Sequence, residues 1–321
     1  MSYQAPRWLP GGHAQTLYPL LIRPQPPRYR RERWTTPDSD FIDLDWVDAP
    51  AMSQEAPLLV LFHGLEGSSR SHYAASIMSA LQTAGWAGVV PHFRGCSGEL
   101  NLAPRAYHSG DSEEIDWILR RLRQLNPQRP LFAAGISLGG NALLKWLGER
   151  EFLARNVIDG AAAICPPLDL AACGHRLARG VHRLYTYHFL RTLKAGARER
   201  LARHPDLFDA RRMEQARNLY QFDDAVTAPL HGYRNADDYW TRASSKPWLR
   251  HIRIPTLLIS PANDPFLPIT ALPRTDRNEL SAQIRFEMPA SGGHLGFVGG
   301  APPGHLHWLP HRLIRYFSQE I

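Results

Sequence analysis

The chain has 321 residues, 44% of them hydrophobic, and a formal net charge of +7. That apolar fraction supports a large core and excludes a disordered chain, while the longest apolar runs, such as LLVLF and TLLI, fall far short of the ~20 residues that span a bilayer. The basic excess suits nucleic acid, anionic lipid or acidic substrates and does not choose among them.

Cys96, Cys165 and Cys173 are the three cysteines, an odd number without a CxxC spacing. This argues for reduced thiols rather than a disulfide framework or a zinc ribbon. The opening MSYQAPRWLPGGH lacks the basic and then apolar character of a signal peptide, so a cytoplasmic location is expected.

In chain order, the first 30 residues are rich in Pro, Gly and Arg and are expected to wrap the surface. RRERWTT and FIDLDWV flank PDSD and predict a hairpin. LLVLF (58–62) reads as a buried strand. Residues 70–84 have helical spacing, with Tyr73, Ile77, Met78 and Leu81 on one face. AGVVPHF is a second strand of this kind. SEEIDWILRRLRQL is a helix with Ile115, Ile118, Leu119 and Leu122 in a stripe, its acidic residues early and its arginines late. LFAAGI, then ALLKWLGER, then VIDGAAAIC continue a strand, helix, strand rhythm. Residues 170–250 break it with helical patterns and many arginines. It resumes at IPTLLIS (254–260), IRFEMPA (284–290) and HRLIRYFSQ. Such alternation predicts an α/β fold: a mostly parallel central sheet with helices on both faces. The whole chain reads as a single domain, 1–321, with an inserted helical lid at 170–250.

Gly135-Ile136-Ser137-Leu138-Gly139 fits G-x-S-x-G between a predicted strand and a predicted helix. In that setting the turn is strained, the serine oxygen is lifted from the sheet, and the helix N-terminus faces developing negative charge. Ser137 is therefore the candidate nucleophile. It needs a base, and the base needs an orienting carboxylate. Asp264, in ISPANDPFLP, and His294, in MPASGGHLGF, each follow a predicted strand in the chain order this architecture requires. The backbone N–H groups of Leu65, in HGLEG after LLVLF, and of Leu138 are the candidate oxyanion donors. His63 is then a brace for its loop rather than a base.

Other stretches have alternatives. FRGCSGE (93–99) either shapes a pocket floor through Arg94 or builds a tight turn. His108 and Asp111, in YHSGD, are too close for an acyltransferase pair, and a helix cap explains Ser109 or Asp111 better. His305, His307 and His311 have no carboxylate or cysteine to complete a metal site. Asp223 and Asp224 belong to the insertion and are poor orienters. From His175 to His204 there are eight Lys or Arg and one acidic residue. Leu177, Val181, Leu184, Leu190 and Leu193 fall at helical spacings, so this stretch is either a solvated face packed over a pocket or a peripheral membrane contact.

With FHGLEG, GISLGG, NDPF and GGHLGF in that order, the chain resembles the α/β-hydrolase superfamily over nearly its whole length. More narrowly, PHFRGCSGE, YHSGD, FDDAVTAPLHGY and the opening WLPGGHAQT are similar to the YheT-like hydrolase family, a bacterial group related to eukaryotic ABHD proteins that act on lipid esters. The resemblance implies a Ser–His–Asp relay at Ser137, His294 and Asp264. It also implies hydrolysis of carboxylic esters, either short-chain esters or acylglycerols and other lipid esters, with no cofactor or metal. Two alternatives remain: acyl transfer to an acceptor other than water, and a non-catalytic binding module on the same fold. No recognised nucleic-acid motif accompanies the basic residues, so no nucleic-acid partner is expected.

Overall fold

The computed structural model describes residues 3–22, 24–49, 56–274 and 278–321. The predicted hairpin forms from β1 (Arg30–Thr35) and β2 (Phe41–Val47), paired antiparallel from Arg30 opposite Trp46 to Thr35 opposite Phe41. β3 (Leu58–Phe62), β4 (Ala87–Pro91), β5 (Leu131–Ile136), β6 (Gly160–Ile164), β7 (Thr256–Ile259) and β8 (Ile284–Glu287) complete one eight-stranded sheet in the order β1-β2-β4-β3-β5-β6-β7-β8. From β4 to β8 the neighbours are parallel.

β3 is uniformly apolar because both its faces are covered. Leu58, Val60 and Phe62 join one core, and Leu59 and Leu61 join the other. The crossover helices supply the covering layers. α1 (Gly12–Leu17) precedes the hairpin; α2 (His72–Thr83), α3 (Ser112–Leu125) and α4 (Leu138–Arg150) follow β3, β4 and β5. The stripe Ile115, Ile118, Leu119 and Leu122 of α3 is buried with α4 against the first core. Tyr73, Ile77, Met78 and Leu81 of α2 are buried in the second.

Between β6 and β7 the chain is helical: α5 (Leu170–Leu177), α6 (Arg183–Arg203), α7 (Ala210–Gln215), α8 (Leu219–Phe222), a π-turn at Asp223–Thr227, α9 (Ala228–Leu230) and α10 (Ala236–Ala243). Part of it has its own small core around Leu190, Phe208, Met213 and Phe222. The apolar stripe expected across 177–193 is broken. α5 ends at Leu177, a 3₁₀ turn covers Gly180–His182, and α6 starts in a new phase. Leu177 and Leu190 are buried, whereas Val181 and Leu184 are exposed. α11 (Trp308–Gln319) closes the chain and packs on α2.

The first 30 residues do more than wrap the surface. Tyr3 is buried with its hydroxyl donating to the Val298 carbonyl, and α1 is inserted beside the loops that follow β7 and β8. The reason is polar: Gln15 and Thr16, inconspicuous in sequence, carry hydrogen bonds that those loops lack.

Candidate active site

β5 is buried throughout and α4 begins one residue after it, so Ser137 alone makes the turn. Its backbone lies at φ 51°, ψ −116°, where L residues are strained. The Ile164 carbonyl, 2.8 Å from the Ser137 N–H, helps hold it there. The flanking glycines are required by close approach. A Cβ on Gly135 would lie 2.5 Å from the Gly139 carbonyl oxygen, and one on Gly139 would lie 2.5 Å from that of His63.

Asp264 and His294 arrive on the loops after β7 and β8, and the structure brings them to the serine. His294 Nε2 lies 3.0 Å from Ser137 Oγ, and His294 Nδ1 lies 2.8 Å from Asp264 Oδ2. An ionised carboxylate only accepts, so the ring proton sits on Nδ1 and Nε2 is left to accept from the serine. The other carboxylate oxygen of Asp264 accepts the Phe266 N–H at 2.8 Å. The Phe266 ring stacks on the imidazole with centroids 4.2 Å apart. Both Asp264 and His294 are buried.

The loop after β3 is held so that one N–H stays available. Gly64 N–H donates to the Tyr73 hydroxyl, Glu66 N–H to the Tyr107 hydroxyl, and Gly67 N–H to the Gly64 carbonyl. Among the described residues the N–H groups of Leu65 and Leu138 have no acceptor, and both residues line the same cavity as Ser137. His63 braces this loop. Its Nδ1 lies 2.8 Å from the Gly64 carbonyl and its Nε2 accepts the Phe93 N–H at 3.0 Å. Complete burial pushes its pKa down to about 3, so the ring is neutral and both nitrogens are engaged.

The rival residues have other partners, although Arg94, His108 and Asp223 line the same cavity as Ser137. Arg94 is buried and binds Asp38, Asp40 and Glu114, tying the β1–β2 turn to α3, and together with Gly95 it also lines the cavity. His108 accepts the Gly110 N–H, and Asp111 pairs with Arg105. Asp111 sits at the start of α3 but makes no side-chain cap there. Asp223 accepts from Thr227 and Trp240. Cys165, Asp264 and His294 hold ligand-type atoms within 4.8 Å of one another. There Asp264 and His294 are bonded to each other, and His294 also to Ser137.

The cavity beside Ser137 has a volume of about 420 Å³. Its core-side wall includes Leu65, Ser137, Leu138 and His294, and its opposite wall comes from the β6–β7 insertion, including Leu170, Leu177, Phe189 and Leu193.

Comparison with known proteins matches residues 57–301 to the α/β hydrolase fold family. Over 315 residues the chain is 40% identical to YheT of Escherichia coli (strain K12), whose name marks it provisionally as an esterase, covering 96% of this chain and 91% of that protein. The chain belongs to the α/β-hydrolase family. This α/β hydrolase is also 29% identical over 327 residues to the phospholipase ABHD3 of Mus musculus, covering 100% of this chain and 79% of that protein. Among solved structures, the Pyrococcus furiosus esterase PF2001 superposes with a TM-score of 0.56 at 15% identity, covering 91% of this chain and 92% of that one. At that identity the likeness speaks for the fold.

In this hydrolase, residues inconspicuous in sequence hold the Asp264 and His294 loops in place. His294 N–H donates to Thr16 Oγ1 at 2.8 Å, Gly292 N–H to Gln15 Oε1 at 2.8 Å, and Gly293 N–H to Asn263 Oδ1 at 3.0 Å. Asn263 in turn donates to Gln15 at 3.0 Å. Thus α1 ties the aspartate loop to the histidine loop. The available signal was WLPGGHAQT itself, a polar stretch with no periodicity to explain it.

Proposed function

We propose that this carboxylic ester hydrolase cleaves its substrates by two-step acyl transfer through Ser137. His294 Nε2 takes the hydroxyl proton as Oγ attacks the ester carbonyl. The N–H groups of Leu65 and Leu138 stabilise the oxyanion, and the N-terminus of α4 adds its dipole. Asp264 fixes the imidazole tautomer and stabilises the imidazolium. His294 then protonates the departing alcohol, and water repeats the sequence on the acyl-enzyme. The observation that carries this reading is the hydrogen-bonded run Ser137–His294–Asp264, at 3.0 and 2.8 Å, at the wall of a cavity with two N–H groups that have no acceptor among the described residues.

The apolar insertion residues facing Ser137 suit an acyl chain, and the kinship with a phospholipase makes lipid esters the substrate class of choice. In this reading the insertion is a lid. Its exposed Val181, Leu184 and Tyr187, beside Arg183 and Arg191, rest on an anionic lipid surface. Among the described residues no helix is long and apolar enough to cross a membrane. Failure to sediment with anionic liposomes at low salt would remove the surface contact and leave the chemistry standing.

The chemistry is tested by p-nitrophenol release from acyl esters of about two to sixteen carbons, a series that scales with buried methylenes. The wild-type chain is expected to turn over and to label with a fluorophosphonate probe. Ser137→Ala is expected to do neither. A folded wild-type chain that hydrolyses no ester and resists the probe would overturn the proposal.

A further inference from the structure

The insertion carries many arginines, and with one exception those on and beside α6 are either paired or, like Arg183 and Arg191, exposed to solvent. Arg198 pairs with Glu214, Arg212 with Asp224, and Arg203 donates to the carbonyls of Leu100 and Asn101. Arg200 differs. It is 7% exposed and lines the Ser137 cavity, yet among the described residues its guanidinium makes no hydrogen bond and no ion pair. Its Nε is wholly buried and unpartnered. A cation in such a place is costly unless an anion or several acceptors meet it.

A second group points the same way. His231 lines the same cavity, and its Nε2 is also buried without a partner. Burial, with the charges of His108, Arg105 and Arg200 acting on it, pushes its pKa down to about 3, so the ring is neutral. A neutral imidazole offers one N–H and one acceptor. Of the four carboxylates lining this cavity, Glu66 accepts the Tyr107 hydroxyl, Glu99 pairs with Arg33, Asp223 accepts from Thr227 and Trp240, and Glu199 is exposed; none forms an ion pair with Arg200. The lining leaves room at Gly196, where an added Cβ would meet no atom within 4 Å, while one on Gly95 would touch Arg200 Nη2 at 3.6 Å.

We infer that Arg200 and His231 form an oxyanion-binding subsite of the ester cavity, which selects esters that carry a phosphate or carboxylate group elsewhere in the molecule. The guanidinium fork matches either group with two parallel N–H bonds. This deepens the esterase reading and rests on it for the meaning of the cavity, but binding can be measured without hydrolysis.

The experiment is calorimetric titration of hexyl phosphate, hexanoate and hexanol into the wild-type chain, Ser137→Ala and Arg200→Gln. Hexyl phosphate is expected to bind wild type and Ser137→Ala alike, at least about tenfold tighter than hexanol. Loss of the charge-assisted bonds in Arg200→Gln is expected to weaken it about ten- to a hundredfold with hexanol little changed. Hexanoate binding as tightly as hexyl phosphate assigns the subsite to oxyacids in general; hexanoate binding like hexanol assigns it to phosphates. Hexyl phosphate binding wild type no better than hexanol overturns the inference, whether or not Arg200→Gln folds. So does an equal loss of hexyl phosphate and hexanol in a folded variant. Because Ser137→Ala hydrolyses nothing in the proposed mechanism, phosphate binding with no esterase activity in wild type would sink the esterase reading and spare the subsite.

Discussion

At the scale of single residues, the site depends on which nitrogen of each histidine holds a proton. Asp264, accepting from His294 Nδ1 at 2.8 Å, leaves Nε2 free to accept from Ser137. Asparagine can donate its amide to the ring and favour the wrong tautomer. Asp264→Asn is therefore expected to lower kcat by about 10⁴ with a much smaller change in KM, read from steady-state kinetics on a neutral ester. His63 shows the opposite use of the same side chain. Its pKa is held near 3 by burial, below its unfolded value of about 6.5. From pH 6.5 downward the unfolded chain binds a proton that the folded chain refuses. The stability His63 contributes is complete above that range and is lost as pH falls toward 3. The stability difference between wild type and His63→Gln, measured by urea unfolding, should accordingly narrow between pH 7 and 4. A gap that widens on acidification would show that the ring is charged in the folded state.

At the scale of elements, α1 is only six residues long and has no side-chain cap, so it has little stability of its own. It persists because Gln15 and Thr16 pair with the loops after β7 and β8. Those loops depend on it in return, since His294 N–H is buried and has Thr16 as its acceptor. Thr16→Val keeps the shape and removes the acceptor, at an expected cost of about 1–3 kcal/mol in thermal unfolding. If α1 positions the histidine, kcat falls as well while KM holds. Unchanged kcat in a destabilised variant would make α1 a strut without influence on the site. The insertion shows how a periodic pattern misleads. Leu177, Val181 and Leu184 share a helical spacing, but the turn at Gly180–His182 resets the phase, and only Leu177 of the three is buried.

At the scale of the whole molecule, the cavity exists because two layers meet: the strand ends of the parallel sheet and the helices inserted between β6 and β7. Leu193 belongs to the inserted layer and faces the space beside Ser137. Leu193→Trp should shorten the preferred acyl chain and lower kcat/KM on long esters by about tenfold or more, with short esters less affected. An unchanged chain-length profile would place the acyl chain elsewhere.

Much of this was legible from local rules. Continuous branched runs mark strands covered on both faces, as in LLVLF. A stripe such as Ile115, Ile118, Leu119 and Leu122 marks a helix on the sheet, and alternation of the two sets the fold class. G-x-S-x-G was readable because the strain of the turn and the closeness of neighbouring backbone leave no choice of residue at Gly135 and Gly139. What joins distant segments left no such trace. The distance between Ser137 and His294, the tie from Thr16 across 278 residues to His294, and the solitude of Arg200 all depend on contacts between elements far apart in sequence. A hydroxyl, an amide or a guanidinium looks the same in sequence whether it is paired or alone. The residues by themselves determined the elements and the strained turn at Ser137, because those follow from backbone sterics and periodic burial; tertiary structure alone decided which polar groups found partners, because that is settled by where the packed elements meet.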